Sequence, residues 1–423
     1  MTQFSRLTLA AALLAGVGGL AVSVPADAKK DDKAATGPSY SPEFIKAAGP
    51  AQAALKGTDV AAMQSTVAAV EAVAKTDDDK YAAAHMRIQV TQTQLKADPQ
   101  GDQSVLAPTL QSLVDNAKTP QTEKAQLYFF LGQFAEKKRD FAGALRDYQQ
   151  AQTLGYVEPQ LPLIIAQTKI NAGDVAGGTA DFGKVVETAE ATGKPAPESY
   201  YKYALGQSVN TKNKPQALDW LKRWLSAYPT SKNWHDAMTI YGLQQGSLAT
   251  LDRNQTIDLF RLMRSTKSLD QYGYEEYADK VLKAGLPDEA RTAITEGRAA
   301  GKVPATGGNG TGILADANKS IASEGPLTTL ATRARAGANG ALASQTADAY
   351  LGKGDYTAAI PLYQLALSKG GVSNDTVNLH LGIALAMSGD KAGAKTAFGA
   401  VTGSPNTDIA QFWLLSLDHP AVA

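Results

Sequence analysis

The tightest constraint on this chain is a short turn that returns at a nearly fixed interval. Gly57-Thr58-Asp59-Val60, Lys138-Arg139-Asp140-Phe141, Gly173-Asp174-Val175, Gly354-Asp355-Tyr356 and Gly389-Asp390-Lys391 are variants of one pattern. Asp140 and Asp174 stand about 34 residues apart and Asp355 and Asp390 about 35, and weaker turns near Lys214, Asp252, Asp288 and Glu324 continue the series. A period of this length marks a stack of small units, each burying its apolar face only against its neighbours.

The turn has a physical logic. Glycine takes the left-handed conformation that ends one helix, and aspartate accepts the unpaired N–H groups that begin the next. Residues 125–136 before Asp140 and 141–154 after it carry apolar side chains at helical spacing, so each turn joins two antiparallel helices. Small residues then recur in pairs: Gly132 with Ala144, Ala166 with Gly178, Gly206 with Ala217, Ala347 with Ala359, and Gly382 with Ala394. Small side chains at such points let two helix backbones cross closely.

In the stretch from Ala125, Tyr128, Leu131, Gly132, Phe141, Ala144, Tyr148 and Ala151 follow in order, with Pro159 opening the next unit and Pro229 closing the unit from Ser199. This pattern resembles the tetratricopeptide repeat (TPR). The resemblance implies an all-α fold, an α-solenoid (right-handed superhelix) of about ten antiparallel helix pairs, with a capping helix over residues 407–417. The repeats are degenerate: residues 95–105, with Pro99 and Gly101, make a long turn, and Val67 and Leu221 stand where Tyr148 aligns.

The organisation expected outside the repeats is simple. Residues 1–28 read as a signal peptide, with Arg6, an apolar run from Leu7 to Val24 and the small-x-small site Ala26-Asp27-Ala28. This predicts a periplasmic protein, the alternatives being an uncleaved N-terminal anchor or secretion, and no stable membrane span once the signal is removed. Residues 29–42 are a polar leader expected to be disordered, and 43–300 an N-terminal solenoid. Residues 301–312, GKVPATGGNGTG, are expected to be a glycine-rich linker before C-terminal repeats over 313–423. There is no cysteine, so no disulfide staples the fold. The 41 basic residues equal the 41 acidic ones and are interleaved with them, which argues against a nucleic-acid partner.

No catalytic, cofactor or metal site is expected. The glycines at 307, 308, 310 and 312 follow no strand and lack the lysine of a phosphate-binding loop. His85, His235, His380 and His419 stand far apart without metal-ligand spacing. Asp77-Asp78-Asp79 reads as a helix start ahead of Tyr81 and not as a calcium loop. Glu275-Glu276 point apart on a helix and do not converge as an acid and base pair.

What the resemblance does imply is a groove lined by the first helix of each pair, where a protein or peptide partner lies. Carried over from Gly132, Ala166 and Gly206, the groove positions are Gln133, Gln167 and Gln207, flanked by Phe129, Lys137, Gln160, Asn171, Tyr200, Tyr203 and Asn210. The amides offer donors and acceptors to an extended backbone, while the plain alternative is exposed glutamine on a soluble helix and aromatics that only pack. The expected function is a non-enzymatic binding scaffold. Two other readings are an accessory or degenerate helical scaffold of a cell-wall or polysaccharide-processing enzyme, and a small-ligand or glycan-binding protein that uses the middle of the chain, where most aromatic residues lie.

Overall fold

The computed structural model describes residues 37–98 and 100–422. The expected signal peptide and residues 29–36 lie outside the described residues. Those described form 21 α-helices and no β-sheet, which divide into ten successive pairs and a last single helix.

Two compact units divide the chain, one ending at Thr188 and the other beginning at Ala189. The first contains α1 (Pro42–Leu55) with α2 (Val60–Val73), α3 (Asp77–Ala97) with a 3-10 turn and α4 (Ala107–Asp115), α5 (Gln121–Lys137) with α6 (Phe141–Thr153), and α7 (Leu161–Asn171) with most of α8 (Val175–Glu190). The second contains α9 (Glu198–Asn210) with α10 (Lys214–Ala227), then α11 (Ser231–Met238), a single π turn (Thr239–Leu243) and α12 (Arg253–Ser265). It continues through α13 (Gln271–Lys283) with α14 (Pro287–Ala299), α15 (Gly308–Ser323) with α16 (Leu327–Ala336), α17 (Ala341–Lys353) with α18 (Tyr356–Lys369), and α19 (Asn374–Ser388) with α20 (Lys391–Gly399). The last helix, α21 (Asn406–Asp418), is the expected cap.

The recurring turns work as their residues imply. Asp59, Asp140, Asp174, Asp355 and Asp390 each accept a backbone N–H from the first turn of the following helix, at 2.9–3.1 Å. Gly173, Gly354 and Gly389 sit at φ of +99°, +81° and +92°, and Arg139 takes the same left-handed position at 61°. Asp79 closes a capping box with Thr76 at the start of α3 and is fully buried, so the aspartate run is a helix start.

Close crossings explain most of the small residues. A Cβ on Gly132 would meet the Tyr148 ring at 2.6 Å, one on Gly178 would meet the Ala166 carbonyl oxygen at 2.7 Å, and one on Gly382 would meet Phe398 at 2.5 Å. Their partners Ala144, Ala166 and Ala394, with Ala347 and Ala359 in α17 and α18, are wholly buried.

Two expectations are corrected. The leader is not disordered to residue 42: Ser41 caps α1 while its N–H and hydroxyl donate to Asp79 at 2.9 and 2.8 Å, and Ser39 N–H donates to Asp78. The glycine-rich stretch is not a linker along its length, because α15 begins at Gly308, and the two units divide near Thr188 instead. Gly307 turns the chain at φ +75°, and Gly310 lets α15 lie so close to Val303 that an added Cβ would stand 2.9 Å from its methyl.

Candidate partner-binding cleft

The expected groove residues meet different fates. Phe129 is 4% exposed and packs with Phe130, Tyr148 and Tyr156 in the core of the first unit, so it is no groove residue. An aromatic ring at the helix-packing face buries more apolar surface than any groove position offers. Gln133 and Gln167 are half-buried on α5 and α7, Asn171 is exposed at the end of α7, and Gln160 is exposed just before its first residue. Lys137 is exposed and pairs with Asp102 at 2.9 Å. In the second unit Tyr200, Tyr203 and Gln207 are half-buried and Asn210 is exposed, all on α9. Burial raises the Tyr203 phenol above its ordinary pKa.

The register on α9 differs from the expected one by a residue. Leu205, not Gly206, stands about twelve residues before Ala217, the interval that separates Gly132 from Ala144 and Ala166 from Gly178. The packing agrees, since Leu205 and Leu221 are both buried, whereas a Cβ on Gly206 would meet nothing within 4 Å. Two leucines fill the space that glycine and tyrosine share at Gly132 and Tyr148. Gly206 therefore takes the position that Gln133 and Gln167 hold in their repeats, and Gln207 falls outside the column.

A cleft of about 480 Å³ opens where that side chain is missing. One wall is a single face of α9, with Lys202, Gly206, Val209 and Asn210 at helical spacing and Leu205 beneath. The other wall is α11 and its π turn, with His235, Asp236, Thr239, Ile240 and Gln244. Trp224 of α10 forms the floor. The first helices of two successive pairs thus face each other across a gap whose apolar lining is Leu205, Val209, Trp224 and Ile240, with the amides of Asn210 and Gln244 at the C-terminal ends of the two walls. Counting from Ala217 would have found Gly206 in the sequence; the breadth of the gap has no local signal.

The charges around the cleft are already matched. Lys202 pairs with Glu198 at 2.9 Å and lies 4.9 Å from the Trp224 ring centre. Glu198 also accepts from Trp224 Nε1 at 3.0 Å and Asn233 Nδ2 at 2.9 Å, and Lys202 first, with Trp224 and Asn233, holds its carboxyl below the usual range. Asp236 pairs with Lys232. His235 Nδ1 donates to the Ser268 carbonyl at 3.0 Å, which fixes the ring on the wall.

A second polar assembly was not legible as a cluster in the sequence. His380 of α19 contacts Asp348 of α17 through Nδ1 at 2.7 Å and Asp258 of α12 through Nε2 at 3.0 Å. Asp258 pairs with Arg261 at 2.9 Å, and Arg261 makes a two-pronged bond to Glu289 of α14 at 2.7 Å per prong. Tyr277 and Tyr363 donate to Glu289 and Asp348. Burial alone would lower the His380 pKa, but Asp258 and Asp348 together push it up to about 10. The cavity beside Arg261 and Glu289 measures about 10 Å³, enough for a water and for no substrate. This cluster ties α12, α13, α14, α17, α18 and α19 together. Among the described residues no group of three or more His, Cys, Asp or Glu side chains could hold a metal ion, and no helix is long and apolar enough to cross a membrane.

Residues 345–406 match the tetratricopeptide repeat family. No curated protein matches the chain. Among solved structures, a tetratricopeptide repeat protein from Parabacteroides merdae aligns over 81% of this chain and 99% of its own at 11% identity and a TM-score of 0.23. A Rap protein complexed with Competence and Sporulation Factor aligns over 88% and 98% at 12% identity and a TM-score of 0.25. The weight falls on the matched segment, which is similar to the tetratricopeptide repeat family, and the ten helix pairs with their repeated turns and crossings have the architecture of a helical repeat protein.

Proposed function

We propose that this protein is an exported, non-enzymatic scaffold that holds a protein or peptide partner in the cleft between α9 and α11. Helical repeats of this type serve protein–protein interaction in general, and one observation carries the finer reading. At Gly206 the register position that bears glutamine in two earlier repeats carries no side chain, and an apolar-sided gap of about 480 Å³ stands open there. The matched charges around it favour a neutral segment over a strongly charged one. The signal-like residues 1–28 support a periplasmic address.

The test borrows the residue the other repeats use. Gly206→Gln has room for its side chain and improves helix propensity, so the protein keeps its fold. A partner captured by co-purification from the cell envelope is expected to be lost in Gly206→Gln and kept when the exposed Gln149, Gln150 and Gln152 on α6 become alanine. Equal capture by both variants removes the cleft from the function. Fractionation with N-terminal sequencing checks the address: a periplasmic protein beginning at Lys29 is expected, and a cytoplasmic one still carrying Met1 rejects it.

A further inference from the structure

We infer that α21 and the residues after it hold the far wall of this cleft in place, so that docking of the C-terminal segment and the shape of the cleft form one coupled equilibrium. This rests on the cleft being the binding site and adds how that site is controlled.

The far wall is the weakest secondary structure around the cleft. α11 has two turns, too few to persist without support, and it runs directly into a π turn. Such turns often lie at functional sites. One face of this segment, with His235, Asp236, Thr239 and Ile240, looks into the cleft. The other, with Trp234, Ala237, Met238 and Tyr241, is wholly buried.

The C-terminal segment grips that second face at both ends. Tyr241 donates to Asp408 Oδ2 at 3.2 Å, and its ring meets Phe412 edge-on with centres 5.1 Å apart. At the start of α11, Ser231 N–H donates to the Val422 carbonyl at 2.9 Å and Val422 N–H donates to the Pro229 carbonyl at 2.8 Å, a one-rung parallel bridge. Lys222 of α10 adds a bond to Gln411 at 3.1 Å. On its opposite side α21 is anchored to α20, where Trp413 stacks on Phe398 and Asp418 pairs with Lys395 at 2.5 Å. The residues that shape the cleft are thus braced from behind by a segment more than 160 residues later in the chain.

Other side-chain ties on α11, Ser231 Oγ to the Thr266 carbonyl, Asn233 Nδ2 to Glu198 and His235 Nδ1 to the Ser268 carbonyl, fall on its first half, while Leu248 and Ala249 N–H donate to the Ile240 and Tyr241 carbonyls of the π turn. The π turn carrying Thr239 and Ile240 depends more on Tyr241 and α21. Release of α21 therefore loosens this wall, and by linkage an occupant of the cleft tightens α21.

Hydrogen exchange on the full chain tests this without a ligand. Tyr241→Phe removes the hydroxyl that meets Asp408 and the Pro405 carbonyl, and Val422→Pro removes the N–H that meets Pro229 while fixing the backbone there. Each is expected to speed exchange of the amides over 235–244 about fivefold, the size of one net hydrogen bond, with 274–298 unchanged. A rise confined to 405–422, or one spread evenly over the second unit, overturns the coupling. If Tyr241→Phe does not fold, Val422→Pro decides alone, since Val422 is 54% exposed. The two ideas fail separately. Coupling with partner capture intact in Gly206→Gln removes the cleft and spares the brace, whereas lost capture without coupling does the reverse.

Discussion

The two compact units are built from the same helix pairs but are held together differently. Among the described residues of the first unit, side-chain bonds such as Tyr81 to Glu123, Asn116 to the Asp77 carbonyl and Lys137 to Asp102 join positions about 35 to 42 residues apart, within one repeat or between neighbours. In the second, His380 reaches Asp258 across 122 residues, Tyr241 reaches Asp408 across 167, and Lys222 reaches Gln411 across 189. The first is a nearest-neighbour stack whose stability adds repeat by repeat. The second is closed on itself, so a local loss is felt at distant helices.

The largest effect that follows is on the buried ion cluster. Glu289 is 2% exposed and bonded to both Arg261 and Tyr277, so Glu289→Gln leaves the Arg261 charge without its main partner at a cost of about 3–5 kcal/mol. In the first unit Glu123→Gln removes a half-buried acceptor of Tyr81 and His85 and should cost ~1 kcal/mol. Chemical denaturation followed by hydrogen exchange assigns each loss to its unit, and equal costs would break the comparison.

Alkali should separate the units next. The folded His380 pKa of about 10 lies above the ordinary 6.5, so its stabilisation is complete below about pH 6.5 and declines as pH rises toward 10. The second unit should therefore lose stability between about pH 7 and 10 relative to the first, and His380→Gln should flatten that slope. A slope unchanged in the variant means that other groups set it.

Packing at glycine gives an intermediate effect of opposite sign at related positions. Gly132→Ala and Gly382→Ala drive a methyl into the Tyr148 and Phe398 rings and should each cost about 1–3 kcal/mol. Gly206→Ala meets open space and should stabilise by up to ~1 kcal/mol. Thermal melts of the three variants decide whether the register on α9 is the one given by Leu205 and Leu221.

These positions also show how much the sequence could tell. Asp140, Asp174, Asp355 and Asp390 announced their helices because a cap is a bond within three residues, and Gly132 with Ala144 announced a crossing because one repeat contains both sides. The same locality misled on α9, where glutamine after glycine looked like a third rung although the interval to Ala217 pointed to Leu205. Phe129 was placed in the groove by register alone, and its ring found more apolar surface to bury in the core. His380, Asp258 and Asp348 carried no shared signal, since nothing short of the closed second unit brings three helices so distant in sequence together. The cleft was half legible: its column was named, but its opening depends on a side chain that is absent.

The smallest effect concerns two of the three described turns that place a non-glycine residue at positive φ. Arg139 in the first unit and Lys212 in the second adopt φ of 61° and 55°, the left-handed position that Gly173, Gly354 and Gly389 occupy elsewhere. A side chain there is strained by about 1–2 kcal/mol, while glycine gives back part of that through the extra freedom of the unfolded chain. Arg139→Gly and Lys212→Gly should each stabilise by ~0.5–1 kcal/mol, with no charge partner to lose at Arg139, whose side chain is exposed. In a nearest-neighbour stack the gain at Arg139 should slow exchange mainly in α5 and α6. In the closed unit the gain at Lys212 should slow exchange beyond α9 and α10 as well, out to α11 and α21, because Lys214, two residues along the chain, pairs with Asp408 of α21 at 3.5 Å. Gains that stay local in both units would mean that the second is an open stack like the first, its long-range bonds contributing little to cooperativity.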